Sequence, residues 1–231
     1  MKIQGSTAFV TGANRGLGLA YAKALLDAGA RKVYAAARDP STVALAGVVP
    51  VRLDVDDDGQ VAAAARECGD VDLVVNNAGV IGGTPLLADG GDAALRRVLE
   101  TNLHGMLAVS RAFAPVLARN GGGALVNMLS ALSWVSLPQS GAYSVSKAAA
   151  WALTNGLRHE LRAQGTLVVA VHAGYIDTDM VKSVDAPKAK PEDIARAVLA
   201  GIEAGAPEVL ADDTARHVKA GFAATPSIYL G

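Results

Sequence analysis

Short apolar runs alternating with stretches of helical period predict an α/β protein: a doubly wound parallel sheet covered by helices on both faces, three layers in all. Two observations carry this reading. The runs are three to six residues long and recur with helix-length spacers, and a glycine-rich turn joins the first run to the first helical stretch. With 231 residues and 51% hydrophobic content, the chain can bury one substantial core, so a single domain over 1–231 is expected.

Residues 7–10 form the first apolar run and end in Thr11-Gly12-Ala13-Asn14-Arg15-Gly16-Leu17-Gly18; helical spacing follows over 19–28 and stops at Gly29. Glycines permit tight turning and close backbone approach, and free N–H groups at a helix start attract phosphate. The unit therefore suits a dinucleotide pyrophosphate, the Rossmann-type arrangement. The second strand, 32–37, ends at Ala37-Arg38-Asp39, where such a site reads the adenosine ribose. A carboxylate there takes unphosphorylated ribose hydroxyls, whereas a guanidinium fork suits a 2′-phosphate. Arg38 and Arg15 together favour NADP(H) over NAD(H); Asp39 is the one dissenting charge.

A third strand over 48–53 leads to Asp54-Val55 and a helix over 60–67; Asp54 either accepts from an adenine amino group or caps that helix. The fourth strand, 71–75, closes in Asn76-Asn77-Ala78-Gly79, whose amides lie at the crevice where strand order reverses. Residues 92–119 have helical period, broken at Gly105 and Pro115, and carry Asn102, a poor helix former that marks a kink or an exposed face. Strand five, 124–128, is followed by Ser130, which points to the crevice, although Ser133, Ser136 and Ser140 lie close in sequence.

The central helix, beginning near Gly141 and running through Leu161, places Tyr143 and Lys147 on one face. An ammonium beside a phenol favours the phenolate, so the pair can act as a general acid and base with the tyrosine's pKa lowered toward the working range. That spacing also arises by chance in amphipathic helices, and the other motifs decide its meaning. Strand six, 167–172, precedes Ala173-Gly174-Tyr175-Ile176-Asp177-Thr178. Residues 179–191, with Pro187 and three lysines, read as a lid-like mobile loop; a helix from Pro191, a strand at 208–210 and a helix over 212–220 complete the chain.

A net charge of −1 with dispersed basic residues gives no footprint for nucleic acid or an anionic membrane. Lone Cys68 and the absence of a leader-like or 18-residue apolar stretch fit a reducing cytoplasm. His104, His159, His172 and His217 lack ligand spacing, so no metal is expected.

The TGxxxGxG turn, Asn76-Asn77-Ala78-Gly79, Asn102, Ser130 with twelve residues before Tyr143, and Tyr143-Ser144-Val145-Ser146-Lys147, in that order and over essentially the whole chain, resemble the short-chain dehydrogenase/reductase family in its compact single-domain form. The resemblance implies that Tyr143 exchanges the proton, Ser130 holds the substrate oxygen, Lys147 bonds the nicotinamide ribose and lowers the tyrosine's pKa, and Asn102 anchors a water in a proton relay. It also implies cofactor contacts from Gly12, Asn14, Arg15, Gly16, Leu17, Gly18 and Arg38 at the phosphates, and from Asp54 and Val55 beside adenine. Asn76, Ala78 and Gly79 would run along the adenosine ribose, and Gly174, Ile176 and Thr178 would sit at the carboxamide end, with Tyr143 and Lys147 shared between cofactor and chemistry. Where the family often has Pro-Gly after strand six, this chain has Ala173-Gly174, which is expected to loosen that end.

The resulting expectation is an NADP(H)-dependent oxidoreductase interconverting a carbonyl and an alcohol, with a small apolar substrate because Trp134, Leu137, Met180 and Val181 flank the implied site, and a homodimer or homotetramer as the assembled form. A non-catalytic NADPH-binding sensor is the alternative, but such a module would be free to lose Tyr143 or Ser130. A nucleotide-sugar epimerase would need more chain after strand six.

Overall fold

The computed structural model describes residues 1–138 and 140–230. Seven parallel strands form one sheet in the order β3-β2-β1-β4-β5-β6-β7. They are β1 (Thr7–Thr11), β2 (Lys32–Ala37), β3 (Val49–Arg52), β4 (Leu73–Asn76), β5 (Ala124–Met128), β6 (Leu167–His172) and β7 (Glu208–Leu210). The order reverses between β1 and β4, and the carboxyl ends of those two strands open the crevice in which doubly wound folds bind ligands.

Helices cover both faces, as the unbroken apolar strands require. On one face α1 (Gly16–Asp27) packs against α6 (Pro191–Glu203), where Tyr21 and Leu25 meet Ile194, Val198 and Ile202 in a fully enclosed core. On the other, α2 (Asp58–Glu67), α4 (Met106–Arg119) and α5 (Gly141–Glu160) enclose Phe9, Val74, Phe113 and Leu125. Asp57, not Asp54, caps α2 by accepting from the Gln60 N–H, which starts that helix two residues before the apolar period does and leaves Asp54 on the crevice.

The expected long helix over 92–119 is divided differently from its glycine and proline signals. α3 (Gly91–Leu99) passes through a π-helical stretch, Glu100–Gly105, into α4, and Pro115 lies inside α4 without ending it. The π stretch has two local causes. A Cβ at Gly105 would lie 2.8 Å from the Val55 side chain, so the helix runs hard against the β3–α2 loop. Asn102 also reaches out of the ladder to Val80, accepting from its N–H at 2.8 Å and donating to its carbonyl at 2.9 Å. The last α-helix among the described residues, α7 (Asp213–Ala220), is capped by Asp212. Among the described residues no helix is long and apolar enough to cross a membrane.

Candidate active site

The glycine turn and the end of β4 are stitched together at the switch point. The Thr11 hydroxyl oxygen accepts from the Asn77 and Ala78 N–H groups, each at 2.9 Å, and the Asn77 amide returns to the carbonyls of Thr11 and Gly12 at 2.9 and 3.3 Å. Gly12 and Gly16 adopt φ of 65° and 54°, left-handed values that a side chain would resist. At Gly18 the constraint is steric instead, because an added Cβ would fall 2.0 Å from the Gly12 carbonyl oxygen. Arg15 precedes α1 in extended conformation and offers no side-chain cap, so the first amides of α1 face the crevice unclaimed by any side chain. That cradle fits an anionic pyrophosphate.

One cavity of about 730 Å³ runs from this turn to the end of β6. Gly12, Asn14, Arg15, Gly16, Leu17 and Gly18 line its near end with Arg38, Asp54 and Val55; Ala78 and Gly79 line its floor; Ser130, Tyr143 and Lys147 line its inner wall, with Gly174, Ile176 and Thr178 beside them. Asp39 lines the cavity too, but its carboxylate is engaged in the turn that follows, accepting from the Ser41 N–H at 3.0 Å and the Ser41 hydroxyl at 2.7 Å, which holds it below the usual carboxylate range. The Arg15 guanidinium leans across the mouth toward Asp179 at 3.5 Å, an exposed and therefore weak pairing.

Four expectations are corrected here. Asn76 does not face the cavity: its amide is buried and donates to Asn127 at 2.9 Å and Ser110 at 3.1 Å, because the residue still belongs to β4 and points away from the crevice. Its neighbour Asn77 makes the backbone bonds at the crevice that the sequence reading expected of the amides in this segment, and only the strand's end decides which member of the Asn-Asn pair turns inward. Trp134 is buried and stacks on His172 at 3.8 Å rather than lining the cavity, although Leu137, Met180 and Val181 do line it. Ala173-Gly174 is not loose, since the Gly174 N–H donates to Asp212 at 2.7 Å and Thr214 fills the space a Cβ would need. Finally, Tyr143 has its pKa pushed up to about 12 by burial, the Ser130 hydroxyl offsetting this in part. The Lys147 ammonium lies 5.7 Å from the Tyr143 ring centre and donates to the Met128 carbonyl at 2.8 Å, so in this arrangement desolvation outweighs the charge effect expected from spacing alone.

Burial also brings Lys147 down to about 8. Asn102 stands behind the cavity wall, not in it. Its amide joins Val80 to the Ser146 hydroxyl at 3.0 Å, and Ser146 donates to the Tyr143 carbonyl at 2.7 Å, so the π stretch braces the first turn of α5. The 179–191 segment is tied at its base by a parallel bridge between Ile176 and Ala189 and by bonds between Ala189 and both Tyr175 and Asp177. Among the described residues no group of three or more His, Cys, Asp or Glu side chains could hold a metal ion.

His172 gives a stability prediction. Burial holds its pKa down to about 4 against an ordinary 6.5, so between those values the unfolded chain binds the proton more readily than the folded one. Stability should therefore fall as pH drops from about 6.5 toward 4, by on the order of 3 kcal/mol in total, and be unaffected by this group at higher pH. Denaturant melts at pH 7 and pH 5 should show a larger loss for the parent than for His172→Asn; equal losses would refute it.

With the sheet, the glycine cradle and the Ser130–Tyr143–Lys147 wall established, the chain can be placed. The family model for short chain dehydrogenase matches residues 6–189, and the chain belongs to that family of oxidoreductases. A short chain dehydrogenase from Burkholderia cenocepacia J2315, solved in complex with NADP, is 42% identical with a TM-score of 0.94, covering 98% of this chain and 96% of that one. Galactitol 2-dehydrogenase (L-tagatose-forming) from Cereibacter sphaeroides is 36% identical over 190 residues, 78% of this chain and 74% of that protein. Short chain dehydrogenase tazN from Aspergillus terreus is 35% identical over 203 residues, 80% of this chain; the match spans only 44% of the fungal protein.

Proposed function

We propose that this protein is an NADP(H)-dependent oxidoreductase that interconverts a small apolar ketone or aldehyde and its alcohol, with Tyr143 as general acid and base. The observation that carries this reading is one continuous cavity with a phosphate cradle and two arginines at one end and Ser130, Tyr143 and Lys147 at the other. When bound, NADPH supplies the hydride that reduces the carbonyl carbon. Ser130 donates to the substrate oxygen, and Tyr143, protonated at neutral pH because burial raises its pKa, gives that oxygen its proton. Lys147 contributes positive charge beside the developing phenolate and a donor for the cofactor ribose.

Val135, Leu137, Met180, Val181 and Val184 border the inner end, and the arginines lie only at the cofactor end, which supports an uncharged, apolar substrate. The galactitol relative, whose name makes it a dehydrogenase forming L-tagatose, supports alcohol–carbonyl chemistry. The NADP complex of the Burkholderia protein supports the phosphorylated cofactor. The reading includes a cytoplasmic homodimer or homotetramer assembled through α4 and α5, where Val145 presents an exposed apolar side chain.

The test is titration with NADPH and NADH by fluorescence, followed by turnover on a panel of apolar ketones and aldehydes. Tight NADPH binding with turnover is expected; tight binding with no turnover on any carbonyl would overturn the catalytic reading in favour of a sensor. Within the same assay, Arg38→Asp should move the ratio of kcat/KM for NADPH over NADH toward NADH by about tenfold or more, since a charge-assisted fork to phosphate is replaced by repulsion. An unchanged ratio would remove Arg38 from cofactor selection.

A further inference from the structure

We propose that His172 is a positioning residue for the active site: from the last position of β6, its Nδ1–H donates to the Ser130 main-chain carbonyl and sets the direction from which Ser130 presents its hydroxyl. The inference rests on the reading of Ser130 as the group that holds the substrate oxygen.

The ring is completely buried, and Nδ1 lies 2.9 Å from the Ser130 carbonyl oxygen. A carbonyl only accepts, so the proton resides on Nδ1 and the neutral tautomer is dictated by its partner. Trp134 stacks on the imidazole at 3.8 Å with 19° between the planes, while the His172 carbonyl accepts from Ala211 of the β7 end at 2.8 Å. The His172 backbone is thus held between its own strand and the next strand's end, and its ring lies against an indole.

Ser130 needs such a hold. It follows β5 in extended conformation and starts the short 3₁₀ turn Ala131–Ser133, with its hydroxyl accepting from the Leu132 N–H at 3.1 Å. Its carbonyl accepts from the Ser133 N–H within that turn and from His172 on the neighbouring strand, while the Ala131 N–H of the same peptide donates to the Ala173 carbonyl at 2.8 Å; the histidine is the side-chain partner that fixes the carbonyl end of this peptide from outside the turn. The strand before this peptide is paired to β6 as well, Leu129 donating to the Val171 carbonyl at 2.8 Å, and the Ser130 hydroxyl stands 3.4 Å from the Ala173 carbonyl.

The other ring nitrogen shows that packing alone does not account for this residue. Nε2 is buried without a hydrogen-bond partner, and the nearest carboxylate oxygen, on Glu208, is 3.9 Å away. An aliphatic side chain would fill the same volume with no orphaned polar atom, so the histidine carries a desolvation cost that only the Nδ1 bond offsets. Burial keeps the ring neutral through the physiological range. A neutral ring is a constant donor to Ser130.

Two measurements test this. Long-range ¹H–¹⁵N correlation on the parent protein should show His172 as the Nδ1–H tautomer; the Nε2–H tautomer would overturn the proposal, with or without a known substrate. Then His172→Asn, whose amide nitrogen takes the Nδ1 place, should keep kcat within about threefold of the parent on the best carbonyl of the panel. His172→Gln and His172→Leu should lose about tenfold or more in kcat while NADPH affinity holds within about twofold, the pattern of a misaligned reacting group rather than a lost binding contact. Parent-like kcat in the Gln or Leu variant would overturn the proposal, as would equal losses in all three variants with weakened NADPH binding, which would mark a purely structural role. If no carbonyl is turned over by the parent, the proposed function fails while the tautomer still decides whether His172 clamps Ser130.

Discussion

Tyr143→Phe is expected to lower kcat for carbonyl reduction by roughly 10³-fold, within the range a positioned general acid contributes. The substitution removes one oxygen and keeps the ring that packs at the start of α5. The loss should therefore appear in turnover with little change elsewhere: NADPH affinity within about twofold, and a thermal midpoint close to the parent's because the ring and its packing are retained. Stopped-flow reduction of the best panel substrate, with cofactor binding by fluorescence alongside, separates these quantities. A phenylalanine variant that reduces the carbonyl at near the parent rate would take the proton-donor role away from Tyr143 and return the inner end of the cavity to an open question of chemistry.

Gly18→Ala should be as damaging through a different route, abolishing measurable NADPH binding, a loss of at least about 100-fold, while also lowering stability by about 1–3 kcal/mol or more, the usual penalty of overpacking. The new Cβ would sit 2.0 Å from the Gly12 carbonyl oxygen and 2.7 Å from the Asn77 amide nitrogen. Neither can swing clear, since Gly12 lies in the turn itself and Asn77 is anchored by bonds to Thr11 and Gly12. α1 must then move away from the turn, and the amides that converge on the crevice diverge. Gly83→Ala is the control: Gly83 also lines the cavity but has nothing within 4 Å of its would-be Cβ, so that variant should bind NADPH as the parent does. Calorimetric titration of both, with thermal melts, checks the pair. Parent-like binding by Gly18→Ala would show that the cradle does not depend on that close approach.

The differences between the linear reading and the folded protein share a physical origin. The alternation of apolar runs with helical period, the glycine turn, and the Tyr143 to Lys147 spacing are local features: each depends on neighbours within a turn or a strand, so each can be read from the chain, and together they lead to the family and its sheet. Where a side chain ends up is not local. Asn76 and Asn77 are alike in type and adjacent, yet one closes a buried network with Asn127 and Ser110 while the other ties the glycine turn, and the pleat at the end of β4 decides which. Asp54 and Asp57 compete for one helix start, and the cap goes to the one whose carboxylate is placed to accept from the Gln60 N–H. Trp134 reads as a pocket residue until His172, distant in sequence, offers a flat face to stack on.

The sequence by itself determined the doubly wound architecture, the glycine turn and the shared helix face of the residues proposed for proton transfer, because backbone period, glycine geometry and helical spacing are properties of the chain alone. Only the tertiary structure decided the direction of the Tyr143 and Lys147 pKa shifts, the clamp of Asp212 on Gly174, and the bond from His172 to Ser130. Those depend on burial and on partners brought together from separate strands, quantities that do not exist until the sheet has closed.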